Sequence, residues 1–84
     1  MAAIYNRTQI CTALAQNDPA ISSFLDLETG QVVQLVEGDN SPEQSALSDA
    51  VMESYGDRFR YIPGGNSTAD DAAVDAWFEA EGLS

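Results

Sequence analysis

Residues 20–37, AISSFLDLETGQVVQLVE, decide the fold. Two runs rich in β-branched and large apolar residues flank Glu28-Thr29-Gly30, which is the pattern of a β-hairpin. Gly30 can take the left-handed conformation that closes a three-residue loop as a type I turn followed by a bulge. Such a loop places Leu27 opposite Gln31, Leu25 opposite Val33 and Ser23 opposite Leu35. One face then carries Leu25, Leu27, Val33 and Leu35, and the other carries Phe24, Val32 and Val36. Both faces are apolar, so the hairpin is expected to lie under helices.

Upstream, Asn6 precedes RTQICTALAQ, where Ile10, Cys11 and Leu14 recur at helical spacing and predict a helix over 7–16. Asn17-Asp18-Pro19 stops it, because a proline disfavours helical geometry in the residue before it. Downstream, Ser41-Pro42-Glu43-Gln44 reads as a helix start, with Ser41 as cap, Pro42 at the first position and Gln44 completing a capping box. Ala46, Leu47, Ala50, Val51 and Tyr55 line one face, and Gly56 is placed to end the helix. Residues 58–62, RFRYI, alternate and predict a third strand. Pro63-Gly64-Gly65-Asn66 reads as a flexible break. Ser67 or Thr68 then caps a last helix holding Ala69, Ala72, Ala73, Ala76, Trp77 and Ala80, closed near Gly82.

The fold class that follows is α+β: a single small domain over 1–84 in the order α-β-β-α-β-α. Its sheet of three mainly antiparallel strands, near 20–27, 31–37 and 58–62, is covered by helices. Leu14, Leu25, Leu27, Val33, Leu35, Leu47, Val51, Phe59, Tyr61 and Trp77 are the expected core. At 84 residues the chain buries roughly 60–65% of its unfolded surface, which leaves little room for a deep substrate cavity.

Fourteen Asp and Glu face three Arg, with no Lys or His, for a net charge of −11. Such a field repels nucleic acid and anionic membranes, and attracts a basic protein surface. The plainer reading of the charge is solubility. No apolar run approaches the ~20 residues of a membrane span, and MAAIYNRTQI lacks the features of a signal peptide. With Cys11 as the one cysteine, the expected setting is cytoplasmic, and Cys11 itself is expected to be packed rather than reactive.

The candidate site residues are partner-binding ones. Asp71, Asp75 and Glu79 stand at i, i+4 and i+8, and Asp49 and Glu53 repeat that spacing on the middle helix. They form either a solvated outer face or an anionic surface with charges spaced on the scale of backbone phosphates. Arg58 and Arg60 share a strand face away from Phe59 and Tyr61. They either pair with Asp57, Glu53 or the last helix, or form a small patch for a partner's carboxylate. Phe78 points about 100° from Trp77 and is a candidate interface anchor. Asp39-Asn40 and Asp70-Asp71 lack the spacing of a calcium loop, so no metal is expected. With no His, nucleophile elbow or glycine-rich phosphate loop, no catalytic residue or cofactor is expected either.

FLDLETGQVV, an acidic middle helix ending in Tyr-Gly, RFRYIP and a final helix with an aromatic pair together resemble the N-terminal part of the UPF0158 family. The resemblance spans about residues 8–80. Gly64 departs from that family's tendency toward IPIP or IPLP, and the longer members' C-terminal half has no counterpart here. The resemblance implies a fold and a bacterial cytosolic setting, and transfers no catalytic residue. The reading reached is a small acidic non-enzymatic protein-interaction module or adaptor. Its alternative is an acidic nucleic-acid mimic that inhibits a DNA- or RNA-binding protein, comparable in size and charge to phage-encoded inhibitors.

Overall fold

Side-chain caps start each helix of the chain, whose computed structural model describes residues 4–83. Asn6 accepts from the Gln9 N–H ahead of α1 (Arg7–Ala15), and Ser41 accepts from the Gln44 N–H ahead of α2 (Pro42–Glu53). Asp70 accepts from the Ala73 N–H ahead of α3 (Asp71–Glu81). Each cap satisfies a backbone donor that the helix itself cannot. The first two are the expected ones. At the third, neither Ser67 nor Thr68 is the cap. The Asn66 side chain accepts from the Thr68 N–H and hydroxyl, and its carbonyl accepts from Ala69, so a turn occupies the place where a longer helix would begin.

The sheet consists of β1 (Ile21–Asp26), β2 (Val32–Val36) and β3 (Phe59–Ile62), all antiparallel in the order β2-β1-β3. The α-β-β-α-β-α order of a small α+β domain is therefore the observed one. The hairpin register differs from the expectation by one residue: Phe24 lies opposite Val33 and Leu25 opposite Val32. The Asp26 N–H donates to the Gln31 carbonyl at 2.9 Å, so residues 27–30 form the loop and Leu27 has left the β2 ladder. The cause is β3, because the Leu27 N–H donates to the Arg58 carbonyl at 2.7 Å. Gly30 keeps the left-handed geometry expected of it, at φ 79°. A Cβ there would also run into the Ile4 carbonyl.

A shift of one residue regroups every side chain of one strand against the other. Leu25, Leu27 and Val32 now share a face with Ile62, against Ile10, Ala13 and Leu14 of α1 and Val74, Trp77 and Phe78 of α3. Phe24, Val33, Leu35 and Phe59 form the opposite face, against Leu47, Ala50 and Val51 of α2. Of the expected core, Leu14, Leu25, Val51, Phe59 and Trp77 are buried, and Leu27, Val33, Leu35 and Leu47 are half-buried. Tyr61 is a correction, because it remains 44% exposed. On that face α2 packs mainly over β2, and Val51 covers Phe59 of β3 but leaves Tyr61 open. Ile10, Ala13, Phe24, Ile62, Val74 and Phe78 are buried as well and complete the core.

Both sheet edges are capped by side chains or turns. Gln44 does not close a capping box. Its Nε2 donates to the Gln34 carbonyl and its Oε1 accepts from the Val36 N–H, each at 2.8 Å. That is the bonding pattern of one residue of a parallel strand laid beside Leu35. Gln9 Oε1 accepts from the Val32 N–H of the same edge at 2.9 Å. On β3, the Trp77 indole donates to the Tyr61 carbonyl and the Gly56 N–H to the Phe59 carbonyl. Occupied edges of this kind resist pairing with other strands. The stretch 63–66 is likewise pinned rather than a flexible break, since the Gly65 and Asn66 N–H groups donate to the Gln16 and Leu14 carbonyls. Backbone approaches so closely there that any side chain at Gly64 would strike the Gln16 carbonyl.

Leu25 is fully buried, so Leu25→Ala is expected to cost ~2–5 kcal/mol. Leu35, half-buried, is expected to lose about 1–2 kcal/mol on the same change. Urea unfolding of the two variants measures the difference, and a Leu35 loss larger than that of Leu25 would contradict the register.

Candidate functional site

Three arginines are the only cationic side chains in the sequence, and each one joins two elements. Arg7 links α1 to α3. Its Nη2 donates to Asp75 Oδ1 at 2.8 Å, to Asp71 Oδ1 at 3.2 Å and to the Asp71 carbonyl at 3.2 Å. Its guanidinium also sits 5.6 Å from the Phe78 ring centroid. Arg60 reaches the end of α3, donating to the Glu81 carbonyl at 2.9 Å, with Glu81 Oε1 at 3.7 Å. A cation at a helix C-terminus meets the negative end of the helix dipole. Its Nε donates to the Gly56 carbonyl at 2.8 Å.

Arg58 grips one carboxylate with two bonds. Its Nε and Nη2 donate to Asp26 Oδ1 and Oδ2 at 3.0 and 2.9 Å, a fork in which both partners are fixed in orientation. Asp26 is only 4% exposed. The same Oδ1 accepts from the Glu28 N–H at 2.9 Å, so one carboxylate both anchors β3 and shapes the hairpin loop. Hydrogen bonding from Arg58 holds the Asp26 carboxyl below its ordinary range; burial opposes that shift, and the Glu28 N–H adds to it.

Arg58 and Arg60 both bind the protein's own groups, so neither forms a free patch for a partner's carboxylate. Arg58 lies 4.9 Å from the Phe59 ring centroid rather than away from it, because the pull of Asp26 turns it back. Asp71 and Asp75 are exposed but held by Arg7, while Glu79 is exposed and no arginine reaches it. Asp49 and Glu53 are exposed on α2, also beyond reach of the arginines. Phe78 is 8% exposed and packs on Tyr5 and Trp77, with ring centroids 5.6 Å away in each case. It is a core residue and not a free anchor. Helix α3 meets α1 as well as the sheet, so two side chains about 100° apart are both covered. The structure thus does not gather the candidate residues into one site.

Five of the fourteen carboxylates contact an arginine, which leaves nine that do not among the described residues. Asp39 and Asp70 serve as caps for Ser41 and Ala73 N–H groups. No group of three or more His, Cys, Asp or Glu side chains among the described residues could hold a metal ion. Cys11 is half-buried and its Sγ donates to the Ala69 carbonyl.

The sequence reading missed an apolar strip that runs from the C-terminal end of α2 to β3. Met52, Tyr55 and Tyr61 are 78%, 57% and 44% exposed. The Tyr55 and Tyr61 rings approach Phe24 edge-on, at centroid distances of 6.2 and 5.7 Å. The sequence places Tyr55 on the apolar face of the middle helix with Leu47 and Val51, but α2 ends at Glu53, so Tyr55 leaves the helical repeat and stays exposed. One open concavity lies between α2 and the sheet, and another lies between the start of β1 and the loop that follows β3. The first, of about 440 Å³, includes Leu35, Gln44 and Asp49, and the second, of about 290 Å³, includes Asp18, Ser22 and Tyr61. No protein family, curated protein or solved structure matches this chain.

Asp26 gives a pH prediction. Its carboxyl titrates lower in the folded state than in the unfolded one, so its contribution is fully present above the ordinary carboxylate range. It is lost as pH falls from about 4 through the lower folded value. Asp26→Ala is expected to cost about 1–3 kcal/mol at pH 7, because Arg58 is partly solvated and tolerates the loss of its partner. The variant should also lose less stability than the parent between about pH 4 and pH 2. Urea unfolding at both pH values measures this, and parallel losses would contradict the assigned pair.

Proposed function

We propose that this protein is a non-enzymatic interaction module that binds another protein through an acidic surface. The observation that carries the reading is the internal use of every arginine, which leaves nine carboxylates without a cationic neighbour among the described residues. Such a field raises the encounter rate with a basic partner and suppresses wrong ones. Asp49, Glu53 and Glu79 are the members of the predicted surface that remain exposed and uncompensated. No helix of the described residues is long and apolar enough to cross a membrane. A cytoplasmic setting and kinship with the UPF0158 family belong to the same proposal. The nucleic-acid mimic is the weaker reading, because Arg7 binds two of the three carboxylates in the α3 row and interrupts its likeness to a run of phosphates.

The test is affinity purification from the native cell at low and moderate salt. A protein partner should be retained in stoichiometric amount at about 50 mM salt and largely lost at about 200 mM. Combined Asp49→Lys, Glu53→Lys and Glu79→Lys should weaken retention and leave the circular dichroism spectrum unchanged, since none of the three meets an arginine. Retention equal to the parent would overturn the acidic surface as the binding element. Turnover of a nucleotide, ester or glycoside well above background would overturn the non-enzymatic reading.

A further inference from the structure

On the sheet face under α2, Val51 closes over Phe24 and Phe59, and beyond it Tyr55 and Tyr61 remain open to solvent. Tyr55 and Tyr61 lie edge-on to the buried Phe24 while staying about half exposed themselves. Met52, three residues before Tyr55 on α2, is the most exposed member of the strip. Beside Tyr61 the surface dips into the concavity of about 290 Å³ that includes Asp18 and Ser22. Asp18, Glu53 and Asp57 lie in or next to this strip in the chain, and no arginine reaches any of them.

We propose that this strip docks a segment of a partner protein in which an arginine or lysine stands beside an aliphatic side chain. The cation enters the concavity, against the Tyr61 ring and the Asp18 carboxylate, where ring quadrupole and negative charge attract it together. The aliphatic neighbour covers Met52 and Tyr55, whose polarisable and aromatic surfaces adapt to varied shapes. Charge complementarity selects this occupant. An acidic segment would meet Asp18, Glu53 and Asp57, and a second copy of the chain would bring its own net charge of −11 onto the same carboxylates. The inference rests on the acidic-module reading and gives that module its docking place.

The probes are two synthetic peptides, one alternating arginine and leucine and the other alternating arginine and serine. Each is titrated into the isotope-labelled protein at about 50 mM salt. The arginine–leucine peptide should shift backbone amide signals at Asp18, Ser22, Tyr61 and residues 53–57, and leave those of Asp75 and Glu79 in place. It should bind at least about tenfold tighter than the arginine–serine peptide. Tyr55→Ser and Tyr61→Ser together should remove that advantage; if that pair fails to fold, Met52→Ser, at an exposed position, should still reduce it. Equal affinity for the two peptides, or shifts centred on α3, would overturn the docking strip while leaving acid-driven binding standing. Failure of both peptides to bind would overturn this inference and the acidic-module reading together.

Discussion

Asp26 and Arg58 form the pair on which the other contacts depend, because two separate parts of the fold converge on one carboxylate. The fork to Arg58 brings β3 against β1, and the bond from the Glu28 N–H sets the loop between β1 and β2. With β3 in place, the Leu27 N–H belongs to the Arg58 carbonyl, and β2 must pair one residue earlier than a three-residue loop would allow. The grouping of Leu25 with Val32 and of Phe24 with Val33 follows, and so does the division of the core between α1/α3 and α2. A charged group with one carboxylate and two structural tasks is buried at modest cost, since both oxygens are bonded.

The same economy of cations determines the surface. Arg7, Arg58 and Arg60 each close a junction between elements, at α1–α3, β3–hairpin and β3–α3. Nothing cationic among the described residues is left over for the outer faces of α2 and α3, so solvent meets carboxylates there. The chain accepts the resulting self-repulsion, which opposes compactness. The tyrosine strip stands apart from this field in chemistry but not in place, because Glu53 and Asp57 flank Tyr55 in the chain.

Much of the fold was legible because its signals are local. Asn6 and Ser41 announce their helices through bonds within three residues, and Gly82 ends α3 in the left-handed conformation expected of it. The failures share a different cause, namely contacts between residues far apart in sequence. The register turned on Arg58, thirty-two positions from Asp26, and helical periodicity says nothing of such a partner. Gln44 stands three residues after Ser41, where a capping box would use it, but its amide bonds the β2 edge. Phe78 and Tyr61 were misplaced for one reason: periodicity shows which faces are apolar, and not which of them a helix will cover. Of the candidate site, the charged residues were legible as types, while their partners were visible only once the elements had packed.

Salt dependence of stability tests most directly whether the carboxylate surface is uncompensated. The unfolding free energy, measured with urea, should rise as sodium chloride increases from about 20 to about 300 mM, because screening relieves repulsion among unpaired charges. The exposed Arg7 contacts are worth at most about 1 kcal/mol and cannot reverse that trend. The partly buried Arg58–Asp26 pair is screened far less. A stability that falls with added salt would contradict the account, since attraction between opposite charges would then outweigh repulsion across the surface.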